Sequence, residues 1–252
     1  MEIRHKTHGR HIAVVTIANE ARRNAMTRAM MASLADLWDR LDADPVCRAV
    51  ILTGAGDKAF CAGADISGDL SAGPEIARTV NRALLKDTVF TKPIVAAVNG
   101  DCAGGGVELL ISTDIRGADP AARFGLPEVR YAIYPFGGAA VKLVHQIGHV
   151  HAMDLLLTGR LVDAAFVARI GLINLVTEPG RAMDWAIGVA ETIAANSPAA
   201  VQAVKQQIST GITDGVRSRE ALEQELGDRV RASPDFAEGV AAFREKRRPH
   251  YP

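Results

Sequence analysis

Apolar and polar positions along this chain follow two periods, and the switches between them outline its elements. His11-Ile12-Ala13-Val14-Val15-Thr16-Ile17 is short, apolar and β-branched, with Gly9 just ahead, and reads as a strand in an opening made of strands. From Asn24 the period lengthens: Met26, Met30, Leu34, Leu37 and Leu41 recur every three or four residues, which predicts a helix. Ala49-Val50-Ile51-Leu52-Thr53 is a buried strand closed by Gly54-Ala55-Gly56, and Pro93 to Val98 is another, ended by Asn99-Gly100. Strand, helix, strand, loop, helix, strand is the order of an α/β domain built from repeated units. Between Ser67 and Pro74 a stretch containing Gly and Ser has little periodicity, and is expected to form a mobile loop beside the site.

From about Ser197 the pattern turns helical with mixed charge. Val201, Val204, Ile208 and Ile212 form one stripe; Leu222, Leu226 and Val230 form another. The expectation is a core over 1–196 that carries the site, and a helical region over 197–252 docked on it. No short internal repeat or low-complexity segment stands out.

Composition narrows the class. The chain has 252 residues, enough for one large core, and its 29 basic residues balance 29 acidic ones. No global field therefore attracts nucleic acid or an acidic membrane, and an anionic ligand must be held by a few local charges. Cys47, Cys61 and Cys102 are odd in number, widely spaced and without a CxxC pair, unlike a disulfide framework or a zinc site. The first twenty residues lack the apolar stretch of a signal peptide, and no window is apolar enough to span a membrane. A cytoplasmic protein with no metal is expected.

The candidate chemistry lies in three segments. Asn99-Gly100-Asp101-Cys102-Ala103-Gly104-Gly105-Gly106-Val107-Glu108 puts a glycine run between a strand and an apolar helical stretch. Glycine lets backbone N–H groups approach a ligand, and a helix N-terminus favours negative charge. Phe60-Cys61-Ala62-Gly63-Ala64-Asp65-Ile66 offers a second exposed amide, that of Ala64, among small residues. Two such donors aimed at a thioester oxygen would stabilise an enolate. Glu108 projects from the first turn of the glycine helix, and Glu128 follows a proline in Phe124-Gly125-Leu126-Pro127-Glu128. Two carboxylates around one substrate push their pKa values apart, so that one gives a proton while the other takes one. Taken singly, each glutamate reads as a helix-dipole partner and the glycine run as a turn. Cys61 and Cys102 read as buried structural thiols. Gly54-Ala55-Gly56-Asp57-Lys58-Ala59 loosely matches a nucleotide-binding turn, but Gly63 and Gly68 interrupt the helix that should follow.

In this order and spacing the segments resemble the crotonase family, also called the enoyl-CoA hydratase/isomerase family. Arg23-Asn24-Ala25-Met26 resembles its early Asn-Ala motif, Ala59 to Ile66 its first oxyanion loop, and Asn99 to Asp114 its second. Phe124 to Glu128 resembles its second catalytic segment. Leu157 to Arg160, Gly171 to Ile173 and Phe243 to Arg247 look like its later landmarks. The resemblance implies an α/β fold: a crotonase-like spiral of repeated ββα units with a C-terminal helical trimerisation region, as a homotrimer or dimer of trimers. It implies an acyl-CoA thioester as substrate, with coenzyme A part of that substrate and no other cofactor. The thioester oxygen would lie between the amides of Ala64 and Gly105. Arg23, Ala25, Lys58, Ala62, Asp65 and Ile66 would contact coenzyme A. Both family glutamates are retained, which marks the hydratases; Glu108 would deprotonate water and Glu128 deliver a proton to the α-carbon.

One departure stands out. Pro135-Phe136-Gly137-Gly138-Ala139 places Phe136 where a small residue normally borders the catalytic water, and Ala132 stands at a usual glycine. The expectation is a Phe136 ring directed to the acyl pocket, with hydration retained. The rival readings are an enoyl-CoA isomerase, which needs one carboxylate, and a non-catalytic acyl-CoA-binding protein.

Overall fold

The computed structural model describes residues 1–65 and 73–251. A hairpin opens the chain, β1 (Glu2–His8) and β2 (Ile12–Ala18), followed by α1 (Arg28–Ala43). Three successive passes then repeat one plan. In the first, β3 (Ala49–Gly54) and β4 (Ala59–Cys61) lead to α2 (Pro74–Ala83). In the second, β5 (Ile94–Val98) and β6 (Asp101–Ala103) lead to α3 (Gly105–Leu110). In the third, β7 (Ile115–Ala118) and β8 (Arg123–Gly125) lead through a 3-10 turn, Pro127–Tyr131, to α4 (Ala139–Thr158). The chain continues through β9 (Val162–Asp163), α5 (Ala164–Arg169), β10 (Leu175–Val176) and α6 (Ala182–Ala195). It ends in α7 (Pro198–Arg231) and α8 (Pro234–Glu245).

Each pass gives its first strand to one sheet and its second to another. The six-stranded sheet runs β1-β2-β3-β5-β7-β10, parallel except for the β1/β2 hairpin. The smaller sheet runs β4-β6-β8-β9, parallel except at β9. This is a spiral of ββα units, an α/β fold of the crotonase type. Its consequence for function is direct: the ends of β4, β6 and β8 stand side by side, and the loops that leave them carry the candidate residues.

Alternation along the strands fills both faces of the large sheet. Ile12, Val14, Ala49, Ile51, Val95 and Ala97 meet α6, whose Ala182, Ala186, Ala190 and Ala194 recur every fourth residue. Their alternate neighbours Val15, Ile17, Val50, Leu52, Ile94 and Ala96 face the main core with Leu34 and Trp38 of α1.

One expectation changes. The first helix begins at Arg28, not Asn24, because Thr27 caps it by accepting from the Met30 amide at 3.2 Å. Asn24 instead takes a left-handed φ of 58° and is buried, its amide donating to the carbonyls of Ala55 and Ala59. The apolar stripes of α7 are only partly covered. Thr213, Val216, Glu223 and Gly227 are buried, whereas Val204, Ile208 and Leu222 are exposed. Among the described residues no helix is long and apolar enough to cross a membrane. The expected loop from Ser67 lies, up to Ala72, outside the described residues.

Candidate active site

Ala64 forms a parallel bridge with Met26, in which Met26 N–H donates to the Gly63 carbonyl at 2.8 Å and Asp65 N–H to the Met26 carbonyl at 2.9 Å. Those neighbours use the groups facing Met26, so the Ala64 amide points the other way. Across from it, Gly104 holds φ 54° and ψ −128°, a conformation open to glycine alone. That twist lets the Gly104 carbonyl accept from Val107 and Glu108 while α3 starts at Gly105. Neither the Ala64 nor the Gly105 amide has an acceptor among the described residues. A methyl built on Gly105 would lie 3.6 Å from the Ala64 nitrogen, so the two amides border one space.

Glu128 reaches this space, and Glu108 lies close enough to Glu128 to interact with it electrostatically. A methyl built on Gly104 would lie 2.9 Å from Glu128 Oε1, which places Glu128 over the glycine turn. Glu108 is buried in the first turn of α3, and its Oε1 accepts from the Gly137 amide at 2.5 Å. Burial pushes the Glu108 carboxyl up to about 8; repulsion from Glu128 adds to this and the Gly137 bond opposes it. Burial likewise raises Glu128 to about 7. Near neutrality the two carboxyls are therefore not both ionised. The Gly137 amide favours the arrangement with Glu108 ionised. Glu128 Oε2 is buried and accepts from no described residue, so charge there is poorly stabilised. Burial acts the other way, holding Glu108 higher than Glu128, so the pair offers one acid and one base without the carboxyls alone deciding which is which.

The remaining predicted residues are spread around the same loops. Arg23 is exposed and pairs with Asp101, while Ala25 is buried. Lys58 is exposed at the turn before β4, and the Ala62 amide donates to the Arg23 carbonyl at 3.0 Å. Asp65 lies 3.6 Å from the Arg22 guanidinium. Ile66 falls outside the described residues. The Phe136 ring packs beside Tyr134, with centroids 5.2 Å apart, and against Gly227 of α7. It is thus engaged with the C-terminal helix. Cys61 and Cys102 are buried free thiols, and burial pushes Cys61 up to about 12.

Comparison with known proteins gives this geometry a lineage. The family model described as Enoyl-CoA hydratase/isomerase matches residues 7–252. The chain belongs to the enoyl-CoA hydratase/isomerase family. It is 42% identical over 250 residues to "Enoyl-CoA hydratase EchA19" of Mycobacterium tuberculosis, spanning 96% of this chain and 93% of that protein. An enoyl-CoA hydratase/isomerase structure from Pseudoalteromonas atlantica superposes with a TM-score of 0.89 at 31% identity, covering 99% of both chains. A carnitinyl-CoA dehydratase structure from Mycobacterium avium superposes with a TM-score of 0.88 at 36% identity, covering 99% of this chain and 98% of that one. This is a family of enzymes.

Beside the site of this family member lie charged residues that sequence reasoning missed. Buried Lys86 pairs with Glu220 at 2.8 Å and Glu223 at 2.9 Å, both on α7. Burial pulls its ammonium down, but the two carboxylates outweigh this and leave it above the usual lysine range. Lys142 is also buried, with Nζ donating to the Leu85 carbonyl at 2.7 Å and Ser112 Oγ at 2.8 Å. Burial pushes it down to about 8. One turn along α4, Gln146 donates to the Ile111 carbonyl at 2.8 Å, so α4 satisfies the carbonyl just beyond α3. The only sequence signal was a lysine and a glutamine four apart inside an apolar helix.

Proposed function

We propose that the protein is an enoyl-CoA hydratase, adding water across the double bond of a trans-2-enoyl-CoA to give the 3-hydroxyacyl-CoA. The observation that carries this reading is a pair of buried carboxyls with raised pKa values, beside two amides that border one space. The thioester oxygen would accept from the Ala64 and Gly105 amides. Glu108 takes a proton from water as the water oxygen bonds to C3. The displaced electron pair moves into the thioester as an enolate, held by the two amides, and Glu128 then donates its proton to C2. Donors already fixed where charge develops need no reorganisation as the enolate forms. Arg23, Ala25, Lys58, Ala62, Asp65 and Ile66 are the proposed coenzyme A contacts, and no cofactor besides the substrate's own coenzyme A is invoked. The isomerase alternative drew its support from Phe136, whose ring is engaged with α7.

The test offers trans-2-enoyl-CoAs of several chain lengths in ¹⁸O-labelled water and weighs the products. Label in the 3-hydroxyacyl product is expected. Conversion of 3-enoyl to 2-enoyl substrate with no label uptake would give the isomerase instead. Glu108→Gln and Glu128→Gln should each lower the rate by about 10²–10⁴-fold with acyl-CoA binding nearly intact. A variant keeping more than about a tenth of the wild-type rate would remove that residue from its role.

The reading extends to assembly and place. A homotrimer or dimer of trimers in the cytoplasm is proposed, supported by the apolar residues that α7 leaves exposed, Val204 and Ile208.

A further inference from the structure

Residues 132–138 connect the turn bearing Glu128 to α4, and between Tyr134 and Gly138 they form no regular element. Gly137 leans on the catalytic helix: its amide donates to Glu108, and a methyl built on it would lie 2.6 Å from the Glu108 carboxyl carbon. The residues either side of it are held by α7. A methyl built on Gly227 would lie 1.9 Å from Phe136 Cζ and 2.3 Å from Cε1, so the ring occupies the place where a side chain is missing. Arg231, one turn further, covers the ring at 4.5 Å. On the other side, a methyl on Gly138 would lie 3.4 Å from the Lys86 stem and 3.5 Å from Val216. Lys86 is in turn paired with Glu220 and Glu223. Positions 216, 220, 223, 227 and 231 follow one face of α7.

The geometry points to Gly227 as a positioning residue for Glu108: by seating the Phe136 ring on α7, it fixes where the Gly137 amide stands and so which state of Glu108 that amide supports. A hydrogen bond weakens steeply as its angle and length depart from the optimum. A charge-assisted bond from backbone to carboxylate is among the stronger ones. The Ile133 amide is held by the Glu128 carbonyl at 3.0 Å and the Gly138 carbonyl by the Val141 and Lys142 amides, so between these two anchors the seated ring sets where the Gly137 amide stands. The aromatic residue at 136 and the missing side chain at 227 are thus two halves of one contact.

Gly227→Ala tests this, because its methyl overlaps the ring. The pH at which the Glu108 carboxyl ionises, read from its ¹³C resonance assigned with Glu108→Gln, should rise by about one unit. At pH 7 kcat should fall about tenfold, the same factor, with KM changed less than about threefold. Phe136→Ala added to Gly227→Ala removes the overlap and should recover at least about threefold of the lost rate, since the two sites are in contact and couple. Phe136→Leu, which leaves Gly227 free, should shift the titration in the same direction by less, and serves where Gly227→Ala does not fold. An unmoved Glu108 titration in either folded single variant, or no recovery in the double variant, would overturn the assignment. The rate readout rests on the hydratase reading, but the titration does not. Absent label uptake by the wild type would sink only that reading.

Discussion

Two carboxyl groups buried beside each other penalise the folded state as pH rises. In the unfolded chain a glutamate ionises near pH 4.3, whereas Glu108 and Glu128 are held up to about 8 and about 7 by burial. Between those limits the folded state binds more protons than the unfolded one, so stability falls with increasing pH. The contribution is fully present below the unfolded pKa and lost as pH rises through the folded values. Glu108→Gln cannot ionise, yet its side-chain oxygen still accepts from Gly137. It should therefore melt above wild type at pH 8, by about 1–3 kcal/mol of stability, with the gap closing toward pH 5. For a chain of this size that is roughly 2–10 °C in Tm at a fixed protein concentration. A gap that is flat between pH 5 and 8 would mean the carboxyl is not held neutral by the fold. Glu108 and Glu128 were visible in the sequence because each sits in a short local pattern with its glycines or proline. Lys86, Lys142 and Glu223 were not. Their partners are distant in sequence, and a lysine in an apolar helix looks the same whether it points to water or to a buried carbonyl.

At the scale of elements, the turn from β6 into α3 separates two roles for adjacent glycines. Gly104 holds a backbone conformation that an alanine reaches only at a strain of about 1–3 kcal/mol, and its methyl would meet Glu128 Oε1 at 2.9 Å. Gly104→Ala should therefore lower both Tm and rate. Gly105 has no such twist, and its methyl would make an ordinary contact 3.6 Å from the Ala64 nitrogen. Gly105→Ala should melt within about 1 kcal/mol of wild type yet lose at least tenfold in rate, because the methyl stands beside the amide the enolate needs. Full activity in a folded Gly105→Ala variant would remove Gly105 from the proposed hole. Strand positions were legible in the sequence because burial on both faces leaves continuous apolar runs such as Ala49 to Leu52. The start of α1 was misread for a physical reason. Met26 has the right spacing, but it is buried through its bridge to Ala64, and only the cap at Thr27 marks where the helix begins. The contacts of α7 with Lys86 and the Phe136 ring were not legible either, since neither partner belongs to an apolar stripe.

At the scale of the whole molecule, the first half of α7 leaves large apolar side chains exposed. The first half of α7 borders a cavity of about 870 Å³ with Ile111, Leu172 and Phe90 on its other walls. Val204 and Ile208 stand at its rim, each 62% exposed. The 34-residue helix extends roughly 50 Å; its fully buried residues lie between Thr213 and Gly227, and its first half is held by Lys205, whose Nζ donates to the Lys92 carbonyl at 2.6 Å and pairs with Asp114 at 2.7 Å. The proposed trimer would cover the exposed half with a neighbouring subunit. In that case Val204 and Ile208 lie in an interface, and placing charges there should cost association far more than folding. Light scattering at micromolar concentration should give wild type a mass about three or six times that of the 26.8 kDa chain. The double variant Val204→Glu and Ile208→Glu should shift that mass to the monomer, with the helical circular dichroism of the subunit retained. Because Glu108 and its amide partners come from one chain, the monomer should keep its Glu108 titration. A wild type that is monomeric, or a double variant of unchanged mass, would show that this surface is not where subunits meet.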